Sequence, residues 1–185
     1  MSDFAFRKGK AMVIGGTDPA VEAIATRLTQ YGSSVVVRPE PPARTDPGIT
    51  GDLHTCVFVL RGALPPIGEI NDILTTVVPR LRRTRGSIVV VTSALHDPGQ
   101  DAALDDLVRS LAAAERTHGV RVNRVNVGPL AEDVPLPEES PWPPPLYGTV
   151  EDVAEAVCFL ASDRAGFISG QRLGVDGGLG LSPVS

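Results

Sequence analysis

The sequence predicts an α/β fold in which helices cover both faces of one doubly wound parallel sheet. Short apolar runs of strand length, such as 55–60 and 87–92, alternate with segments whose apolar residues recur every three or four positions. This alternation is typical of a parallel sheet in a three-layer arrangement. The strand-length runs are continuously apolar, as strands buried on both faces are. The 185 residues are enough for one sizeable core, so we expect a single domain over 1–185.

Capping residues and helix breakers set the element boundaries. Asp18 is a strong N-cap and Pro19 suits the first helical position, while Thr149 and Asp152 form a capping box for the last helix. Prolines and a glycine between 39 and 51 exclude regular structure there. The predicted strands are 11–14, 34–38 (also predicted to be buried), 55–60, 87–92, 120–127 and 172–175. The predicted helices are 19–31, 67–83, 101–117 and one that begins at 149.

Composition narrows the class of protein. A hydrophobic fraction of 42%, a charged fraction of 21% and a net charge of −5 describe an ordinary soluble globular protein. We expect no nucleic-acid partner, because a phosphate backbone rewards clustered Lys and Arg. The apolar runs fall short of the roughly 20 residues that cross a bilayer, and no apolar signal region follows the charged start. We therefore expect a cytoplasmic protein without a membrane partner.

Cys56 and Cys158 lie in apolar runs without metal-binding spacing, which favours buried free thiols and no metal site.

Three stretches resemble the short-chain dehydrogenase/reductase family. Residues 149–179, TVEDVAEAVCFLASDRAGFISGQRLGVDGGL, are similar to the family's last helix, loop and strand, and 110–128, SLAAAERTHGVRVNRVNVG, to its active-site helix and following strand. Residues 86–93, GSIVVVTS, resemble the strand that ends on the family's catalytic serine. The resemblance implies a Rossmann-like sheet and assembly into dimers or tetramers. Because 39–54 is too short for the strand, helix and strand that the family places there, we expect about six strands and a missing edge strand.

The resemblance also implies a catalytic set, which is incomplete here. The family uses a Tyr as acid/base, a Lys four residues later and a Ser that polarises the substrate. Ser93 lies at the place of the serine, whereas the Tyr and Lys places fall near Asp97 and Asp101. The only lysines are Lys8 and Lys10, so a Tyr-x-x-x-Lys pair is impossible and Ser93 is interpreted as vestigial. Two interpretations of the aspartates stay open, a turn with a helix start or acid/base work beside Ser93.

The turn after the first strand is altered relative to the family's cofactor-binding turn. The family turn, Gly-x-x-x-Gly-x-Gly, lets a dinucleotide pyrophosphate lie against bare backbone at a helix N-terminus. Starting from Gly15 and Gly16, this register puts Pro19 and Val21 where the later glycines belong. Asp18, as N-cap, would place its own carboxylate on the free amides. We therefore expect no cofactor in this chain, with NAD(P) belonging to a partner subunit.

These observations favour a non-catalytic subunit that associates with an active NAD(P)-dependent short-chain dehydrogenase/reductase, or with itself, as a dimer or tetramer. An alternative is a cofactor-independent lyase, isomerase or hydrolase, and another is a ligand-binding module that reuses the substrate pocket. In the cofactor-independent enzyme the proline-rich loop 128–147, with Trp142 and Tyr147, would be a lid. The predicted interface residues, whose other interpretation is intramolecular core, are Ile70, Leu74, Val77, Leu104, Leu107, Val108, Leu111 and Val175.

Overall fold

The computed structural model describes residues 9–38, 51–62, 67–93, 98–133 and 147–181. The strands are β1 (Lys10–Ile14), β2 (Ser34–Arg38), β3 (Thr55–Leu60), β4 (Ser87–Ser93), β5 (Arg121–Val127) and β6 (Arg172–Val175). The α-helices are α1 (Pro19–Gln30), α2 (Ile67–Thr84), α3 (Pro98–Glu115) and α4 (Val150–Ala161). None of these described helices is both long enough and apolar enough to cross a membrane.

The six strands form one parallel sheet in the order β2-β1-β3-β4-β5-β6. Alternate residues of a strand point to opposite faces, so in β4 Val89 and Val91 face α1 and α4, whereas Ile88 and Val90 face α2 and α3. Each face therefore buries its own hydrophobic core. The predicted three-layer, doubly wound parallel fold of about six strands is confirmed.

Capping side chains begin helices α1 and α4 as predicted. Asp18 has an extended backbone, and its Oδ1 accepts a hydrogen bond of 2.8 Å from the Ala20 amide. Thr149 and Asp152 exchange hydrogen bonds between side chain and backbone, which is the predicted capping box. A short 3₁₀ turn follows α3 and ends at Gly119, whose φ of 73° lies in the left-handed region that favours glycine.

Two expectations about elements are wrong. The sequence predicts that β2 is buried, but Val36 and Val37 are 37% and 46% exposed. In the described sheet β2 pairs with β1 alone, so it is an edge strand and fewer neighbouring side chains cover it. The sequence also starts α3 at 101, whereas the helix begins at Pro98, because proline fits the first turn of a helix, where its missing N–H costs nothing.

The strand order reverses at β1, which lies between β2 and β3. In open α/β sheets such a switch point creates a crevice outside the carboxyl ends of the strands, and ligands bind there. Here the crevice is bordered by the turn after β1 and by the residues that follow β3. The segments after β4, β5 and β6 reach the same edge, since all six strands are parallel. This edge of the sheet is the candidate functional site.

Candidate functional site

The turn after β1 presents side chains where a phosphate would need bare backbone. Val21 lies over Gly15, and a Cβ built on Gly15 would lie 2.7 Å from Val21 Cγ2. Pro19 is the first residue of α1, and the Asp18 carboxylate occupies the Ala20 amide. Gly16 is exposed at the start of the turn. A free helix N-terminus attracts anions, but here the protein supplies its own carboxylate.

Arg61, directly after β3, places a cation in the crevice. Its side chain is only 7% exposed, and Nη1 donates a hydrogen bond of 3.0 Å to Asp18 Oδ1. Nη2 pairs with Asp133, which lies in the segment after β5. One guanidinium thus connects the turn after β1 with the opposite side of the crevice. Sequence reasoning missed this residue, although an arginine between two short apolar stretches was a visible signal.

A second arginine, Arg124 of β5, is fully buried beneath α3. Its Nε donates a hydrogen bond of 2.8 Å to Thr92 Oγ1 in the neighbouring strand. Its Nη1 donates to the Asp101 carbonyl oxygen at 3.0 Å and to Asp105 Oδ1 at 2.8 Å, and Nη2 pairs with the Asp101 carboxylate. A further bond of 3.3 Å reaches Asn126 Oδ1. Every nitrogen of the guanidinium therefore has a partner, as a buried charge requires.

Arg172 of β6 completes this cluster from the sheet edge. Its Nη1 lies 2.5 Å from Asp101 Oδ2 and 3.4 Å from Asp105 Oδ2. Two carboxylates and two guanidinium groups therefore balance their charges, and together they tie α3 to β5 and β6. We call Arg124, Asp101, Asp105 and Arg172 the arginine–aspartate cluster.

The arginine–aspartate cluster contains Asp101, and the family resemblance places the catalytic lysine near this residue. Both carboxylate oxygens of Asp101 are engaged by arginines, which favours a structural role for this residue over the acid/base role that the sequence left open. Ser93 ends β4 and is half-buried. Asp97 and Trp142 lie outside the described residues. Sequence reasoning missed Arg124, although a charged residue between the valines of the strand 121–127 was the available signal.

The predicted interface residues divide into two groups. Ile70, Val77, Leu104 and Val108 are at most 5% exposed and pack in the core beneath α2 and α3, which is the alternative that the sequence left open. Leu74 is 7% exposed, and it lines an apolar groove of about 530 Å³ between α2 and α3. The half-buried members of the groove are Leu107 and Leu111.

The α2–α3 groove has a charged rim. Glu115 receives two hydrogen bonds of 2.7 Å from the Arg82 guanidinium, one from Nε and one from Nη2. These bonds lower the pKa of the Glu115 carboxyl, which burial alone would raise.

Burial raises the pKa of the Cys158 thiol to about 12 and that of the Cys56 thiol still further above its ordinary value. Both cysteines are buried and free, as predicted.

A second surface that carries apolar groups lies around β6. Val175, predicted as an interface residue, is half-buried, and Leu173 is 38% exposed. Phe167, in the loop before β6, is completely exposed. A side chain of this size without cover often marks a contact surface. The sequence analysis did not select Phe167, because an aromatic residue in a loop gives no periodic signal.

Comparison with known proteins identifies the family. A family model described as enoyl-(acyl carrier protein) reductase matches residues 72–180, more than half of the chain. The chain belongs to the short-chain dehydrogenase/reductase family. Relatives of this short-chain dehydrogenase/reductase include 3-oxoacyl-[acyl-carrier-protein] reductase of Staphylococcus aureus, 33% identical over 129 residues that cover 60% of this chain and 52% of the relative. Another is (+)-cis,trans-nepetalactol synthase of Nepeta racemosa, 36% identical over 118 residues, 52% of this chain and 44% of the relative.

Solved structures of the family share the fold of this short-chain dehydrogenase/reductase. A short-chain type dehydrogenase/reductase from Mycobacterium ulcerans has a TM-score of 0.77 at 23% identity and covers 94% of this chain and 90% of its own. A gluconate 5-dehydrogenase from Burkholderia cenocepacia, in complex with NADP and tartrate, has a TM-score of 0.76 at 18% identity and covers 97% and 98%. At these identities the likeness shows the fold alone. The chain spans about half the length, or less, of the curated relatives it matches.

Proposed function

We propose that this chain is a non-catalytic subunit, in the cytoplasm, that associates with an active NAD(P)-dependent short-chain dehydrogenase/reductase in a hetero-oligomer. The observation that carries the proposal is the arginine–aspartate cluster at the family's lysine place. General acid/base catalysis needs a group that can reach the substrate and change protonation. Asp101 instead holds two arginines, and the only lysines of the chain are Lys8 and Lys10, neither with a tyrosine four residues before it.

The residues of the crevice do not fit a dinucleotide. A pyrophosphate needs close approach to the backbone and free amides at the start of the helix. Val21 fills the space over Gly15, and the Asp18 carboxylate takes the Ala20 amide. A phosphate would meet the negative charge of Asp18 at short range, with Arg61 already paired to it. In the proposed hetero-oligomer any NAD(P) is therefore bound by the partner subunit.

Two surfaces support a role in assembly. The α2–α3 groove is lined mostly by apolar side chains, among them Leu74, Leu107 and Leu111. Interfaces between subunits combine such an apolar centre with a polar rim, and Arg82 and Glu115 provide a rim here. The region around β6 adds the exposed Phe167. The resemblance to the family implies assembly through these helices and the last strand.

Co-purification tests the proposal. The tagged chain is co-expressed with longer short-chain dehydrogenases/reductases of the same organism that contain the Tyr-x-x-x-Lys pair, and complexes are measured by native mass spectrometry. We expect a stoichiometric complex with one of them, which Leu107→Asp weakens at least about tenfold, since a charge in an apolar contact costs well over 1.4 kcal/mol. The matched control is Thr26→Asp, an exposed position on α1. Homo-oligomers alone, in every co-expression, would overturn the proposal.

Calorimetry with NADH and NADPH tests the cofactor part of the proposal. We expect no binding heat at micromolar concentrations, because Val21 and Asp18 occupy the turn. A dissociation constant in the micromolar range for the isolated chain would show that the turn still accepts a nucleotide. In that case the assignment of NAD(P) to the partner subunit would be wrong.

A further inference from the structure

The ion pairs of Arg61 cross the crevice from side to side. Asp18 lies in the turn after β1, Arg61 follows β3, and Asp133 lies in the segment after β5. In the sheet β4 separates β3 from β5. The contact between Arg61 and Asp133 therefore passes the carboxyl end of β4, where Ser93 lies. We call Asp18, Arg61 and Asp133 the arginine strap.

The position of Arg61 costs free energy unless both carboxylates are present. Its side chain is 93% buried, as the 7% exposure shows, and its Nε has no hydrogen-bond partner among the described residues. A buried donor without a partner is destabilising. The two carboxylates offset this cost by pairing with the remaining nitrogens. Without Arg61, the carboxylates of Asp18 and Asp133 would instead face each other across the crevice without a cation.

The far end of the arginine strap lies in a stretch that is hydrogen-bonded to the start of α4. Leu130 forms an isolated parallel bridge with Gly148, and the Asp133 amide donates a hydrogen bond of 3.1 Å to the Leu130 carbonyl oxygen. Glu132 accepts a hydrogen bond of 3.4 Å from the Val150 amide, at the start of α4. Asp133 is thus the point at which this segment contacts the β1–β3 side of the crevice in the described structure.

We propose that the arginine strap is a closing contact, in which Arg61 holds the segment after β5 against the turn after β1 and keeps the crevice shut without a nucleotide. This inference goes beyond the proposed function, since it concerns the conformation of the chain itself and would hold for a catalytic or a non-catalytic protein. The positive charge that bridges the crevice is the guanidinium of Arg61, a residue of this chain. Opening the crevice at this point requires breaking the Arg61–Asp133 pair.

Amide hydrogen exchange, followed residue by residue by NMR, tests the closing contact. The reporters are the amides of Ala131, Asp133 and Gly148, which donate hydrogen bonds within the segment after β5 and at its junction with α4. In Arg61→Gln we expect these amides to exchange roughly tenfold faster, less than for a fully buried ion pair because the Asp133 side chain is 40% exposed. Amides of the central strand β4, which exchange through global unfolding, should accelerate by no more than these three, because the variant loses the same contact relative to the unfolded chain.

Further variants separate the closing contact from a general loss of stability. Asp133→Asn removes the outer carboxylate, which is 40% exposed, and should raise the same three exchange rates with the fold intact. The double variant Arg61→Gln/Asp133→Asn should exchange no faster than the faster single variant, because both remove one interaction. Arg83→Gln, which breaks an exposed pair with Asp52 at 57% exposure on both sides, is the matched control and should leave the rates unchanged.

Unchanged rates at Ala131, Asp133 and Gly148 in both Arg61→Gln and Asp133→Asn would overturn the closing contact. Acceleration confined to β4 would also overturn it, because it would show a general loss of stability without a contact that closes this segment. Neither result bears on the co-purification experiment, so a failure of the closing contact and a failure of the proposed function are distinguishable.

Discussion

Replacing Arg124 by methionine is the sharpest test of the arginine–aspartate cluster. Methionine keeps a long apolar side chain in β5 but removes the guanidinium. Asp101 and Asp105, which are 21% and 15% exposed, would lose their buried partner and keep only the more exposed Arg172 and, for Asp105, Arg109. The hydroxyl of Thr92 would lose its 2.8 Å hydrogen bond as well.

The magnitude follows from burial. Breaking a buried ion pair by removing one partner costs about 3–5 kcal/mol, since the remaining charges stay desolvated. For a chain of 185 residues, this corresponds to a fall in the melting temperature of roughly 10 °C. The matched control Arg83→Met breaks an ion pair whose side chains are both 57% exposed. It should lower the free energy of unfolding by less than about 1 kcal/mol.

Thermal and urea denaturation, followed by circular dichroism, measure both variants. A triple variant, Arg124→Met with Asp101→Leu and Asp105→Leu, should regain at least half of the loss, because it replaces the three least exposed members by apolar side chains and leaves only Arg172, which is 41% exposed, without these partners. If Arg124→Met costs no more than Arg83→Met, the guanidinium is not a buried structural charge. Asp101 would then be available for chemistry, and the main argument for a non-catalytic chain would fail.

Three further predictions concern other parts of the structure. Gly15→Ala should lower the free energy of unfolding by about 1–3 kcal/mol in urea denaturation, because the added methyl has no room beneath the neighbouring side chains; a stability equal to that of the parent would contradict the packed turn. Cys56 and Cys158 should resist iodoacetamide at pH 8 in the folded chain and react after unfolding, because burial raises both pKa values; mass spectrometry counts the labels, and rapid labelling of the native chain would refute their burial. Glu115 has a pKa lowered by Arg82, so its carboxylate should add stability above the unfolded pKa of about 4.3, and this contribution should vanish as the pH falls through the lower folded value. The stability difference between the parent and Glu115→Gln, measured at pH 7 and pH 3, should shrink in acid, and a constant difference would show that the ion pair contributes nothing.

Local signals in the sequence were sufficient for most of the fold. The N-cap at Asp18 and the capping box at Thr149 fix helix starts through short-range hydrogen bonds. The apolar runs of β3 and β4 are buried on both faces, so burial could be read from each run alone. The exposure of β2 could not, because it depends on which strands lie beside it in the sheet.

The candidate site was less predictable, because its key contacts join residues far apart in sequence. Arg61 reaches Asp18 and Asp133 from 43 and 72 positions away, and no periodicity or spacing encodes such a pairing. Sequence reasoning identified Asp18 and the crowded turn, since these depend on neighbours in the chain. It interpreted the region of Asp101 as lacking the family's catalytic Tyr and Lys. It missed Arg124, which places a positive charge beside Asp101 from a different strand.

Arg124 and Arg172 affect how the absence of the family's Tyr and Lys is interpreted. The absence of the Tyr and Lys alone would leave a pocket that a few substitutions could restore to the family's residues. Here a lysine returned to position 101 would bring a third cation beside Arg124 and Arg172, which now bind the aspartate at that position. Like charges at this range repel strongly in a partly buried site. Under the proposed function, restoring the family's Tyr and Lys would therefore require dismantling the cluster that ties α3 to β5 and β6.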